Sequence, residues 1–517
     1  MKAVVLAGTF FEEGDVANAS GTTTTTGSGS GSGSGSGNNA LSFVSSNKKK
    51  PSCEQLVAFK PLLSYALEAV QKCALIDSCR VVVTERDGGQ FARECVEKVR
   101  ASTRGNSNGN NNNNNNNNDK VSRVAFDVVE VSAGAGGIGK GDADVLREVL
   151  NNEKTTDDGG GDVVIVSHKT VFDVPLEEII MAHRRADASA TVLLSERRVW
   201  DVIDTKYGRA PKGAKYIGLS DDLDISSSNY SSGSGVSNKL IKRLVFSASE
   251  SEKTVKINRS ALDSVGNVQA SVRYRDVRVY CFQTEALVEC LKKLSSISGS
   301  AKSLSLKNDV VPEMCKAQFW RMVANNNDDV GKENVVDGDI FNAASEKPVV
   351  AVICRPEQPR DNFACEIERI SPHFLEISKE ILSSAQSLVG REPSQRHENY
   401  VASDVELGGK AIIGAQCAVL SGVFIGEKTH VKRSVISHDA RIGANSKITN
   451  SVVCSSAIIE ENCQIVNCVV GENAVVGKNS TLKECVVESE CEVGEDENVR
   501  EETLKNSSSS SSRAGAA

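Results

Sequence analysis

The chain has 517 residues, 39% of them hydrophobic, so it has room for two or three domains with real cores. Sixty Lys and Arg against 68 Asp and Glu give a formal net charge of −8, which argues against a general nucleic-acid binder with its basic footprint. The 15 cysteines are odd in number and scattered through apolar segments, with no CxxC or Cys/His spacing of a zinc site. They read as reduced, buried side chains of a cytosolic protein rather than as a disulfide framework.

No run approaches the roughly 18 apolar residues of a membrane span. At the N-terminus, Lys2, the apolar stretch Ala3–Phe11 and Ala17-Asn18-Ala19 have the form of a signal peptide. The same residues read as a buried strand, Ala3–Ala7, ending at Gly8, and the cysteine usage favours the strand.

Further along, residues 9–53 carry a Thr run and the Gly-Ser run 27–37, which cannot bury a core and read as a disordered insertion. Pro61–Cys73 is a predicted helix with Leu62, Ala66, Ala69 and Val70 on one face. A strand at Arg80–Thr84, a helix at Phe91–Arg100 and a second insertion at 101–119, with its Asn run, follow. Then come the strand Val121–Val131, the helix Asp142–Leu150, the strand Val163–Ser167, the helix Leu176–Arg185 and the strand Ala190–Leu194. Strands alternating with helices over 1–194 imply a parallel, doubly wound (Rossmann-type) α/β sheet. Residues 215–282 look antiparallel, with strands at Lys239–Ala248, Thr254–Ile257 and Val277–Phe282, and a helix at Thr284–Leu294 follows. The reading gives an α/β domain over 1–320, a linker and connecting segment over 321–399, a coiled domain over 400–500 and a disordered tail over 501–517.

The coiled domain carries the strongest pattern. Aliphatic residues recur at Ile413, Val419, Ile425, Val431, Ile436, Ile442, Ile448, Val453, Ile459, Ile465, Val470, Val476, Leu482, Val487, Val493 and Val499, and after Val431 the steps are five, six and six, repeating every 17 residues. A small or compact residue sits two before each, from Ala411 and Cys417 to Cys485 and Cys491, until Glu497 breaks the rule. Side chains two apart share a strand face, so this is the hexapeptide pattern of a three-sided parallel β-helix. Cys468 and Cys485 stand one coil apart and should stack. Gly414, Gly426, Gly443, Gly471, Gly477 and Gly494 are expected where the chain bends with φ values that Gly tolerates.

Gly134 to Gly139 fit GxGxxG between a strand and a helix, with Asp157 or Asp158 about twenty residues on. The same stretch nearly fits a P-loop, but Gly141 stands where the magnesium-binding hydroxyl belongs. Both motifs normally follow the first strand of their unit, and a flexible loop is the plainer reading.

A doubly wound domain followed by hexapeptide coils resembles the sugar-nucleotide pyrophosphorylases, whose signature is a strand, a GGxGTRL loop, a PKP segment and K-P-L opening a helix. This chain has the strand Ala3–Gly8 and the helix opening Phe59-Lys60-Pro61-Leu62-Leu63, but Thr9-Phe10-Phe11-Glu12 replaces the catalytic loop and only Lys50-Pro51 resembles the PKP step. The metal carboxylate of that family ends a strand that here reads Val163-Val164-Ile165-Val166-Ser167-His168-Lys169, with His168 in its place. Nucleotidyl transfer needs groups that hold a triphosphate and a carboxylate for Mg²⁺. The resemblance therefore implies a degenerate site: no catalytic, cofactor-binding or metal-binding residue is assigned, and no cofactor. An active sugar-1-phosphate nucleotidyltransferase with a displaced site is the alternative, and it would need another carboxylate near His168, such as Asp173.

These losses fit the gamma-subunit family of eukaryotic translation initiation factor 2B, which resembles a pyrophosphorylase with a decayed site. The similar segments include Leu62–Thr84, Lys140–Arg147 (a GTAD-x-LR element with Asp142 for Thr), Val163–Leu194 with Asp173-Val174-Pro175-Leu176, Tyr216-Ile217-Gly218, Lys242–Phe246, Asp276–Phe282, Asp309–Pro312 and Lys432–Ile436. The sister epsilon subunit adds a C-terminal helical domain that performs exchange; here only a Ser-rich tail follows the coils, which favours gamma. The resemblance implies a left-handed β-helix and a non-catalytic, cytosolic assembly subunit. Its implied partners are the epsilon-like exchange subunit, the other subunits of factor 2B, and the GTPase initiation factor 2, with no direct nucleic acid and no membrane. A third reading, an acyltransferase using His430 or His438 in the coils, competes with solvated corner histidines.

Overall fold

The computed structural model describes residues 1–7, 56–58, 60–84, 89–105, 124–131, 140–152, 161–198, 215–221, 223, 240–248, 255, 257, 259–298, 303–319, 347–354, 363–367, 374–383 and 399–505. The chain divides into two compact units, Met1–Ser34 with Ala66–Cys365, and Gly35–Tyr65 with Glu366–Ala517. The insertion at 9–53, residues 106–119, the Gly134–Gly139 motif, the Thr9–Glu12 segment and residues 506–517 lie outside the described residues, while the first five residues of the insertion expected at 101–119 continue the helix Gly89–Gly105.

The first unit is built on a ten-stranded mixed sheet. Its strands in chain order are β1 (Lys2–Leu6), β2 (Ser78–Thr84), β3 (Ala125–Val131), β4 (Asp162–Ser167), β5 (Ala190–Glu196), β6 (Ile217–Ser220), β7 (Leu240–Ser247), β8 (Gln269–Ser271), β9 (Tyr274–Gln283) and β10 (Val349–Cys354). The spatial order is β8-β6-β7-β10-β5-β9-β4-β1-β2-β3. β1 lies parallel between β2 and β4, with Val4 opposite both Arg80 and Ile165. Strands buried on both faces need near-continuous apolar runs, and β1, β4 and β10 supply them. The helices Leu62–Lys72, Gly89–Gly105, Asp142–Asn152 and Leu176–Arg185 alternate with these strands, as the period of the apolar residues predicts. The core joins Val4, Leu6, Ile165, Leu146, Tyr280 and Phe282.

Two expectations about this unit change. β9 lies antiparallel between β4 and β5, so the half-sheet is mixed where uninterrupted parallel strands were expected. Val349–Cys354, inside the stretch 321–399 assigned to a linker, is an internal strand, parallel to β5 and antiparallel to β7. Six apolar residues fit a strand buried on both faces, but the flanking polar stretches hid it. Half of the strand expected at Thr254–Ile257 falls outside the described residues, and Val255 and Ile257 are not in a strand.

The second unit carries the three-sided parallel β-helix. Its faces hold seven, six and six strands, beginning at Tyr400, Glu406 and Ile412 respectively. Partners in successive coils are Ala418, Val435, Val452, Val469, Val486 and Thr503 on the first face. That last strand extends the coils to Leu504, into the stretch assigned to a tail. Val419, Ile425, Val431, Ile436, Ile442 and Ile448 are buried as the spacing predicts, each worth roughly 1.5–3 kcal/mol. At the ends Ile413 and Val499 are half-buried, because no coil covers them on one side.

The corners revise the expectation for glycine. Gly426, Gly443, Gly471 and Gly477 do not have left-handed φ; that conformation falls two residues later, on Lys428, Asn445, Asn473 and Asn479. The glycines are required for space. A Cβ on Gly443 would lie 2.5 Å from the backbone carbon of Glu460, and one on Gly471 would lie 2.5 Å from the nitrogen of Ser489. Coils stack backbone on backbone here, so any side chain would wedge them apart.

Candidate functional site

The position to which the sequence resemblance assigns a metal carboxylate, His168, lies at the C-terminal end of β4, beside β1. His168 is 1% exposed. Its backbone N–H donates to the Leu6 carbonyl at 3.0 Å, and its Nδ1 lies 2.9 Å from the same oxygen. A carbonyl only accepts, so Nδ1 carries the proton and the imidazole is held as a structural clasp between β4 and β1. Lys169 follows, and Thr170 donates to the Val277 carbonyl at 2.5 Å. A proton-bearing nitrogen turned to a carbonyl and an adjacent cation do not suit a magnesium ion, which takes oxygen ligands. Asp173 does not replace the missing carboxylate freely: its Oδ1 accepts from the Phe363 N–H at 2.6 Å, and its own N–H donates to the Phe363 carbonyl. Among the described residues no group of three His, Cys, Asp or Glu side chains is arranged to hold a metal ion.

A second buried cluster surrounds Asp142 at the start of the Asp142–Asn152 helix. Asp142 accepts from the Leu306 N–H at 2.7 Å and pairs with Arg278 Nη1 at 3.2 Å, both side chains being buried. Arg278 has a left-handed φ of 57° at a bulge, where the five residues of β9 from Asp276 to Tyr280 lie against the three of β5 from Leu194 to Val192. Asp276 accepts from the Arg278 N–H at 2.8 Å and from the Tyr280 hydroxyl at 2.9 Å. Burial pushes the Asp142 carboxyl up to about 6, against the pull of the Leu306 and Ala143 amides and of Lys169. Leu306–Val310 is a short π-helix, and Gly141 is required beside it, since a Cβ there would lie 2.0 Å from the Leu304 carbonyl. The sequence marks Asp142 as a departure from a Thr, but not the pairing. The one signal is three charged residues, Arg275, Asp276 and Arg278, inside an apolar strand.

In the β-helix, His430 is exposed at the first position of its strand, two residues after the corner at Lys428, and His438 shares a 2.7 Å hydrogen bond with the Ser421 hydroxyl. Cys468 and Cys485 stack as expected, with the Cys485 N–H donating to Cys468 Sγ at 3.4 Å. Burial drives the Cys468 thiol up to about 12, and the described cysteines are buried and form no disulfide among the described residues. Two corner columns are polar ladders: the Ser451 N–H donates to Ser434 Oγ and the Cys468 N–H to Ser451 Oγ, both at 3.1 Å, while Cys463 N–H donates to Ser446 Oγ at 3.1 Å. The third column, Ala440, Ala457 and Ala474, is apolar. No described helix is long and apolar enough to cross a membrane.

Residues 396–499 match the family model described as the EIF2B subunit epsilon LbH domain. The coils are therefore a left-handed β-helix of the kind found in EIF2B, and the match relates this chain to the subunits of that translation initiation factor through its C-terminal domain.

Proposed function

We propose that this chain is the gamma-type, non-catalytic subunit of eukaryotic translation initiation factor 2B. In this reading it pairs in the cytosol with the epsilon-type exchange subunit and promotes GDP/GTP exchange on initiation factor 2. The family match over the coils carries the relation to EIF2B. The clasp of His168 on Leu6, where a pyrophosphorylase needs a carboxylate, supports a role without nucleotidyl transfer. The chain then contributes surface: a stiff prism and a broad sheet domain that position the catalytic partner. Exchange follows from stabilising the nucleotide-free state of the GTPase. Affinity purification of the tagged chain from its native cytosol tests this. Co-recovery of an epsilon-type subunit and initiation factor 2, with no Mg²⁺-dependent pyrophosphate release from sugar-1-phosphates and nucleoside triphosphates, is the expected result. Recovery of the chain alone together with turnover would sink it.

A further inference from the structure

We infer that the third face of the β-helix is a docking surface for an extended acidic protein segment lying along the prism axis. Its described strands are Ile412–Ile413, His430–Lys432, Lys447–Thr449, Gln464–Val466, Thr481–Lys483 and Asn498–Arg500, and none contains Asp or Glu. His430, Lys432, Lys447 and Arg500 are exposed and Lys483 is half-exposed.

The other two faces differ. On the first, the outward residues Ala418, Val435, Val452 and Val469 are buried. On the second, Glu406, Arg441 and Glu492 mix their charges with exposed Phe424 and Ile458. The corners of the last coils carry Glu484, Glu490, Asp496 and Glu501 beside the basic Lys478, so the strip is not the spill-over of a uniformly basic domain.

The strip is also unbalanced. Lys483 lies directly opposite Arg500 on the neighbouring strand. Like charges in register across adjacent strands repel. Among the described residues no carboxylate pairs with any of these five side chains. A partner's carboxylates would supply the missing counter-charge.

Geometry sets the partner's form. Lys432, Thr449, Val466, Lys483 and Arg500 form one column in register. With strands about 4.8 Å apart, that column runs about 19 Å, the reach of about six extended residues. Val466, Thr449 and Gln464 between the cations favour a peptide with apolar and polar side chains among its acids. The face has no aromatic platform on which bases could stack, and the chain's net charge is −8.

The test uses the full chain and a fluorescein-labelled Asp/Glu-rich peptide of about twelve residues, read by anisotropy, with single-stranded RNA of similar length as competitor. Lys432→Glu with Lys483→Glu should weaken peptide binding at least about tenfold. Lys410→Glu with Lys478→Glu, the same charge change at two corners, should leave it within about twofold. Thermal melts confirm that both variants are folded. Equal weakening by both pairs, no measurable peptide binding by the unmodified chain, or displacement of the peptide by RNA at lower concentration than by unlabelled peptide would overturn the assignment.

Discussion

His168 Nδ1–H and Leu6 carbonyl oxygen, 2.9 Å apart and buried, form a cross-strand clasp at the position the sequence resemblance compares with a pyrophosphorylase metal carboxylate. The clasp defines what reversal of that substitution would do. In His168→Asp the carboxylate would face a carbonyl oxygen with no proton to share. The variant should lose about 1–3 kcal/mol of stability in urea unfolding at neutral pH. It should also gain no Mg²⁺-dependent pyrophosphate release, since Lys169 and the engaged Asp173 remain.

Asp142 gives a pH signature. Its folded-state value of about 6 lies above the ordinary 3.8. A carboxyl raised in the folded state contributes stability that is fully present below about pH 4 and lost as pH rises through about 6. Unfolding of the wild type should show that declining contribution across the window, and Asp142→Asn should remove it. The ion pair makes a separate statement. Arg278→Met leaves Asp142 buried without its cation and should cost about 3–5 kcal/mol at pH 7, read by the same unfolding curves.

The β-helix corners separate steric from torsional demands. Gly443→Ala drives a Cβ into the Glu460 backbone and should destabilise by at least about 1–3 kcal/mol. Asn445, two residues on with φ 57°, relaxes as Gly, so Asn445→Gly should shift the melting temperature far less. Equal shifts would mean that the corners, not the stacking, set the demand.

Ser451 is a rung whose loss reaches its neighbour. Its hydroxyl donates to the Thr449 carbonyl at 2.9 Å and accepts from the Cys468 N–H at 3.1 Å. Ser451→Ala strands that buried N–H and should cost about 1–3 kcal/mol. Ser451→Cys, matching the residue already found at Cys468 and Cys485, should recover part of it, as measured by differential scanning calorimetry of both variants.

The β-helix was legible in the sequence because one short rule repeats. Each coil places the same aliphatic and small residues in the same register, so periodicity alone set Ile436 above Val419 and Val453 above Ile436. The early strands and helices of the α/β unit were legible for the same reason, through local apolar periods. Tertiary structure decided the rest. Whether a corner needs Gly for its torsion or for the backbone of the coil above depends on a residue 17 positions away. β10 is separated from its partner β5 by a long stretch of chain, and β9 enters between β4 and β5 from far downstream. The Asp142–Arg278 pair joins residues 136 positions apart. Spacing encodes what neighbours along the chain share; only the folded sheet brings distant charges and strands together.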